Sequence, residues 1–90
     1  MKSYLIVYQL NLPEASYSSL VAYLKTNVQW ARPCSSTWFI KSTLTAGEIR
    51  DGIKERIGTD DKVLVIETAN SNWGTFNVLK EVTDWMKNSL

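Results

Sequence analysis

Residues 4–10, YLIVYQL, are apolar on both sides of a two-residue alternation, with Leu5, Val7 and Gln9 on one side and Tyr4, Ile6, Tyr8 and Leu10 on the other. A strand of that kind needs cover above and below, so it belongs in the middle of a sheet. It stops at Asn11-Leu12-Pro13, and the rest of the chain has to supply its neighbours and its cover. From Tyr17 the spacing changes to Tyr17, Leu20, Val21 and Leu24, one face of a helix, with Ser16 as N-cap and Asn27 as stop. Val28–Pro33 and Ser36–Ser42 read as two strands around the turn Pro33-Cys34-Ser35. Pro33 marks a strand end or a sheet edge, because it cannot donate to a ladder.

The next element is the best marked. Thr45 and Glu48 have capping-box spacing, Leu44 and Ile49 can staple across it, and Gly58 is placed to close the helix. Ile49, Ile53 and Ile57 form its stripe, while Gly47 and Gly52 each cost roughly 1 kcal/mol of helix propensity, so packing has to hold it. Asp60-Asp61 turns the chain into a strand at Lys62–Thr68, KVLVIET. After a linker over 69–75, the spacing of Phe76, Leu79, Val82, Thr83 and Met86 predicts a helix over 76–88, widened by Val78 and Trp85. The order predicts one α+β domain over 1–90, with a ferredoxin-like βαββαβ core at 3–68 and an additional C-terminal helix. Two helices cover one face of such a four-stranded antiparallel sheet. The other face needs the last helix or a second subunit, so we expect a homodimer burying the side that carries Leu5, Val7 and Gln9.

Composition narrows the chemistry. In ninety residues, 44% hydrophobic, a single core is feasible, and a formal charge of +1 excludes a strongly basic nucleic-acid arm or an acidic tail. The single cysteine, Cys34, excludes an internal disulfide and a multi-cysteine zinc site, and the absence of histidine excludes Ser-His, Cys-His and His-ligated metal mechanisms within one chain. No stretch approaches the roughly 18 apolar residues of a membrane span. The opening MKSYLIVYQLNL is interrupted by Gln9 and Asn11 and leads to no small-residue cleavage site, so it reads as a strand, and a cytoplasmic protein is expected.

The opening YLIVYQLNLP, the block STWFIKSTLTAGEIRDGI and the strand DDKVLVIE together resemble the small ferredoxin-like proteins labelled SinR-family, over about residues 3 to 67. These in turn resemble the CRISPR-associated ferredoxin-like nuclease subunit and the virulence-associated protein D ribonucleases. The resemblance implies a homodimer with the first strands near its axis. In those relatives the first strand commonly ends in Tyr-Asp, and an Asp from each subunit meets a divalent metal. Here Gln9 follows Tyr8; its amide oxygen can coordinate Mg²⁺, but it brings no charge and cannot act as a base.

The residues themselves suggest several sites. Asp60-Asp61 is the one adjacent carboxylate pair, a weak candidate for Mg²⁺ beside a phosphate and more simply a turn. Gln9 and Asn11, two positions apart, share a side if the strand extends that far, and amides suit base edges. Of the four tryptophans, Trp38 alternates with Ile40 as core and Trp85 widens a helix face, whereas Trp30 and Trp73 lie outside clear core spacing. Lys25, Arg32 and Lys41 are the nearest thing to a basic patch, and Cys34 lacks a base to activate it. Three functions therefore stand. The first is a non-catalytic homodimer that binds a nucleotide or short nucleic acid through Gln9, Asn11, Trp30, Arg32 and Trp73, with no cofactor. The second is a Mg²⁺-dependent ribonuclease or toxin. The third is a protein-interaction or inhibitor subunit, of a kind that mobile elements encode.

Overall fold

The computed structural model describes residues 1–69 and 72–90. Strand β1 (Lys2–Gln9) leads through a 3₁₀ turn (Glu14–Tyr17) into helix α1 (Ser18–Lys25). The hairpin β2 (Trp30–Cys34) and β3 (Thr37–Ser42) follows, then α2 (Ala46–Lys54), β4 (Lys62–Thr68) and α3 (Lys80–Ser89). The sheet order is β2-β3-β1-β4, antiparallel throughout, which is the ferredoxin-like arrangement with a C-terminal helix. No helix among the described residues is long and apolar enough to cross a membrane.

The alternation of β1 separates two cores. Tyr4, Ile6 and Tyr8 join Trp38 and Ile40 of β3 beneath α1 and α2, which contribute Leu20, Leu24, Ile49 and Ile53. Polar tips in this layer find partners. The Trp38 indole donates to Tyr8 Oη (2.9 Å), and Tyr4 Oη donates to the Leu44 carbonyl (2.6 Å). On the opposite face, Ala31 and Phe39 pack with Val82 and Met86 of α3, and Trp85 stacks on Phe39 at 5.7 Å between centroids. Helix α3 thus covers the β2–β3 half of that face and only the near end of β1, where Ser3 Oγ donates to the Ser89 carbonyl (3.1 Å).

Full cover for β1 is therefore corrected to cover on one face and half of the other. Leu5 and Val7 are half-buried, Gln9 is exposed, and the neighbouring Leu64 and Ile66 of β4 are 56% and 44% exposed. The expected helix over 76–88 is also corrected. Asn77 adopts a left-handed φ of 58° and Leu79 is extended, so the helix can begin only at Lys80, leaving Phe76 exposed. Gly58 does not close α2, which ends at Lys54 with Glu55 as its cap, although the capping box at Thr45 and Glu48 is present with both bonds. Ser16 is not an N-cap, because residues 14–17 form a separate 3₁₀ turn.

Candidate functional site

The predicted ligand residues separate into three places. Gln9 is the last residue of β1, exposed and directly across from Lys62. The strand stops there, so Asn11 does not share its side. Instead the Asn11 backbone N–H donates to Asp61 Oδ1 (2.8 Å). Trp73 lies in the connection before α3, 37% exposed. Trp30 and Arg32 do come together, on β2 at the open edge of the sheet.

Their meeting place is a cleft of about 350 Å³ between β2 and the start of α3, lined by Trp30, Ala31, Arg32, Leu79, Glu81, Val82 and Trp85. Trp30, 38% exposed, leans on buried Trp38 at 5.3 Å between centroids, with Lys25 Nζ 5.4 Å from its ring. By register Trp30 lies on the α1 side of the sheet with Trp38 and Ile40. Its indole therefore stands at the β2 edge between Trp38 and Lys25 and borders the cleft rather than facing α3 across it. Arg32 lays its guanidinium 4.6 Å over Trp38, donates to the Ser35 carbonyl through Nε (3.1 Å) and pairs with Glu14. That network spends most of its donors within the fold, so Arg32 is a poor phosphate anchor and a good wall. Glu81 supplies a carboxylate acceptor at the cleft. Trp85 Nε1 is buried with no hydrogen-bond partner among the described residues, a cost of about 1–3 kcal/mol that its stacking on Phe39 helps offset. Nothing in the residue pattern marks Leu79 or Glu81 as cleft residues, because only the tertiary approach of α3 to β2 brings them there.

Lys25, Arg32 and Lys41 do not form a basic patch. The first two lie over tryptophan rings, and Lys41 pairs across β3 with Ser3 on the opposite face of the sheet. Cys34 is exposed at the end of β2.

Asp61 has a structural occupation. Its Oδ1 accepts the Asn11 N–H, and Oδ2 accepts both the Gly58 N–H (2.7 Å) and the Tyr17 hydroxyl (2.9 Å). The hydroxyl in turn accepts the Leu12 N–H (3.3 Å). One carboxylate thereby ties together the end of β1, the 3₁₀ turn and the loop before β4. Three donors leave it little capacity for a metal, and no group of three or more Asp, Glu or Cys side chains able to hold one occurs among the described residues.

The same bonds fix a pH dependence. The Asn11 and Gly58 N–H groups and the Tyr17 hydroxyl hold the Asp61 carboxyl below its ordinary value, while burial first, and the bond to Asp61 second, push the Tyr17 hydroxyl up. A depressed carboxyl contributes stability above its unfolded pKa, which is lost as pH falls through the folded value. A raised phenol contributes below its unfolded pKa and loses that contribution as pH rises through the folded one. We therefore expect a stability plateau from about pH 4 to about pH 10. Asp61→Asn should lower that plateau, and its deficit should shrink as the wild type is acidified below about pH 4. Chemical denaturation across pH checks this; a deficit that stays constant from pH 7 down to pH 2 contradicts it.

No family model, curated protein or solved structure matches this chain.

Proposed function

We propose that this protein is a non-catalytic, self-associating binder of a nucleobase-bearing ligand, and that the base docks at the β2 edge of the sheet, against Trp30 where it borders the cleft between β2 and α3. The observation that carries this reading is Trp30, a 38% exposed indole at the β2 edge that leans on Trp38 and borders a cleft of about 350 Å³. That volume is at the lower end of small-molecule pockets and suits a ring rather than an extended chain. The walls are mostly apolar, as a stacking site needs. Glu81 can accept from an amino-bearing base edge, and Arg32 is engaged elsewhere. Base and sugar are therefore held while phosphates stay in solvent, in keeping with a net charge of +1. The cleft is complete within one chain, so binding does not wait on association.

Trp30→Ala should weaken binding by about 1–3 kcal/mol, one to two decades in Kd, because one stacked base is lost. Trp73→Ala should leave it unchanged, since Trp73 is not among the cleft residues. Titrating nucleoside monophosphates into the protein, with and without Mg²⁺, reads this through tryptophan fluorescence. Equal effects of the two substitutions, or binding only with Mg²⁺, count against the cleft. The exposed apolar residues Leu64 and Ile66, beside half-buried Leu5 and Val7, support self-association.

A further inference from the structure

The two edges of the sheet are built differently. Edge strand β2 has an irregular register between Ala31 and Cys34, carries Pro33 and is flanked by α3 at the cleft. Each of these features discourages another strand from adding. Edge strand β4 has none of them. It pairs with β1 in an unbroken register from Ser3 opposite Thr68 to Gln9 opposite Lys62, and contains no Pro or Gly. Its middle, Val63-Leu64-Val65-Ile66, is apolar, with charge only at Lys62 and Glu67. Such an edge is a template for a further strand.

We propose that the occupant is a second copy of this chain, its β4 pairing antiparallel with this one about a two-fold axis at Val65. The proposal deepens the self-association above by naming the surface. Two identical antiparallel strands can join only with residues of the same face opposite one another, which leaves the axis on a residue. An axis at Leu64 sets Asp61 against the partner's Glu67, a like-charge pair. An axis at Val65 sets Leu64 against the partner's Ile66 and Val63 against the partner's Glu67. Beside Val63 lies a hollow of about 340 Å³ also lined by Ile57, Arg50, Lys54 and Asp61. The Asp61 carboxylate is engaged by its three donors and Arg50 is paired with Asp51, so Lys54 is the main attraction for the carboxylate of the partner's Glu67. Glu67 exchanges its exposed pairing with Lys2 for this one. The two-fold repeats the contact, so the strand is complementary to itself in both apolar match and charge. The product is one continuous eight-stranded sheet with α1 and α2 of both copies on the same side.

The test is crosslinking of the full chain in a Cys34→Ser background, with sedimentation of uncrosslinked variants. Residues opposite one another across an antiparallel pair approach within disulfide range, so Val65→Cys should give a covalent dimer under mild oxidation, and Leu64→Cys should do so poorly. Glu67→Arg should raise the dimer Kd roughly tenfold, by replacing attraction, chiefly to Lys54, with repulsion at both symmetric contacts. Adding Arg50→Glu and Lys54→Glu should restore it. A dimer that crosslinks through Val7→Cys instead, and is indifferent to Glu67→Arg, overturns the β4 pairing while leaving self-association standing. A monomer at every concentration overturns both.

Discussion

Trp38→Ala is expected to destabilise the protein by about 3–5 kcal/mol, the cost of emptying a fully packed aromatic site. Trp38 has no exposed surface and stands where four supports converge. Its ring lies under the Arg32 guanidinium, braces Trp30, packs among Tyr8, Leu20 and Ile53 in the main core, and donates its indole N–H to Tyr8 Oη. Against a total stability of roughly 5–15 kcal/mol for a domain, that loss takes about a fifth or more. Trp38→Phe separates the contributions, keeping most of the apolar volume while losing the indole donor. Because Tyr8 Oη still donates to the Ser35 carbonyl, its loss should be closer to the roughly 1 kcal/mol of one hydrogen bond plus a small cavity. Urea denaturation with unchanged m-values measures both, and a loss under about 1 kcal/mol for Trp38→Ala would mean the site collapses freely. Trp38→Ala should also blunt ligand binding, because Trp30 loses its brace.

Much of this fold was legible because several of its elements announce themselves locally. Lys62–Thr68 is a strand by composition, and the capping box at Thr45 and Glu48 marks the start of α2 to the residue. Topology followed from element order alone. What stayed hidden depended on tertiary approach. Helical spacing from Phe76 to Met86 extends past the true helix because apolar periodicity does not see the left-handed Asn77. Asp61 reads as a turn residue or half of a metal pair; its bond from Gly58 is such a turn contact, but its other two partners, Asn11 and Tyr17, lie 50 and 44 positions away. The cleft behaves in the same way. Trp30 and Arg32 were visible as candidates, yet Leu79, Glu81 and Trp85 reach them only because α3 folds back over Phe39. Gln9 stood out as a polar residue in an apolar strand, and it is simply exposed at the strand's end.

Gly52 makes the same point with a sign that reverses. Helix propensity alone predicts that Gly52→Ala stabilises α2 by about 1 kcal/mol. The packing opposes this. A Cβ on Gly52 would come within 2.6 Å of Tyr23 Cζ, and nearer still to Oη, because α1 rests that ring directly on the glycine. The Arg56 guanidinium lies over the same ring, 4.2 Å from its centroid, and donates to the Gly52 carbonyl (2.6 Å), so Tyr23 is held in place beside the glycine. Overpacking of this kind costs about 1–3 kcal/mol against a propensity gain of about 1 kcal/mol, so a net loss of up to about 2 kcal/mol is expected. Gly47 is the control. Its added Cβ would meet nothing closer than Arg50 Nη2 at 3.7 Å, so Gly47→Ala should stabilise by up to about 1 kcal/mol. A double-mutant cycle isolates the cause. With Tyr23→Ala already in place the obstruction is gone, and Gly52→Ala should turn from destabilising to stabilising, a coupling of about 1–3 kcal/mol. Denaturation midpoints of the four proteins decide it. If Gly52→Ala stabilises the chain with Tyr23 present, the ring steps aside at little cost, and the contact between α1 and α2 does not depend on the missing side chain.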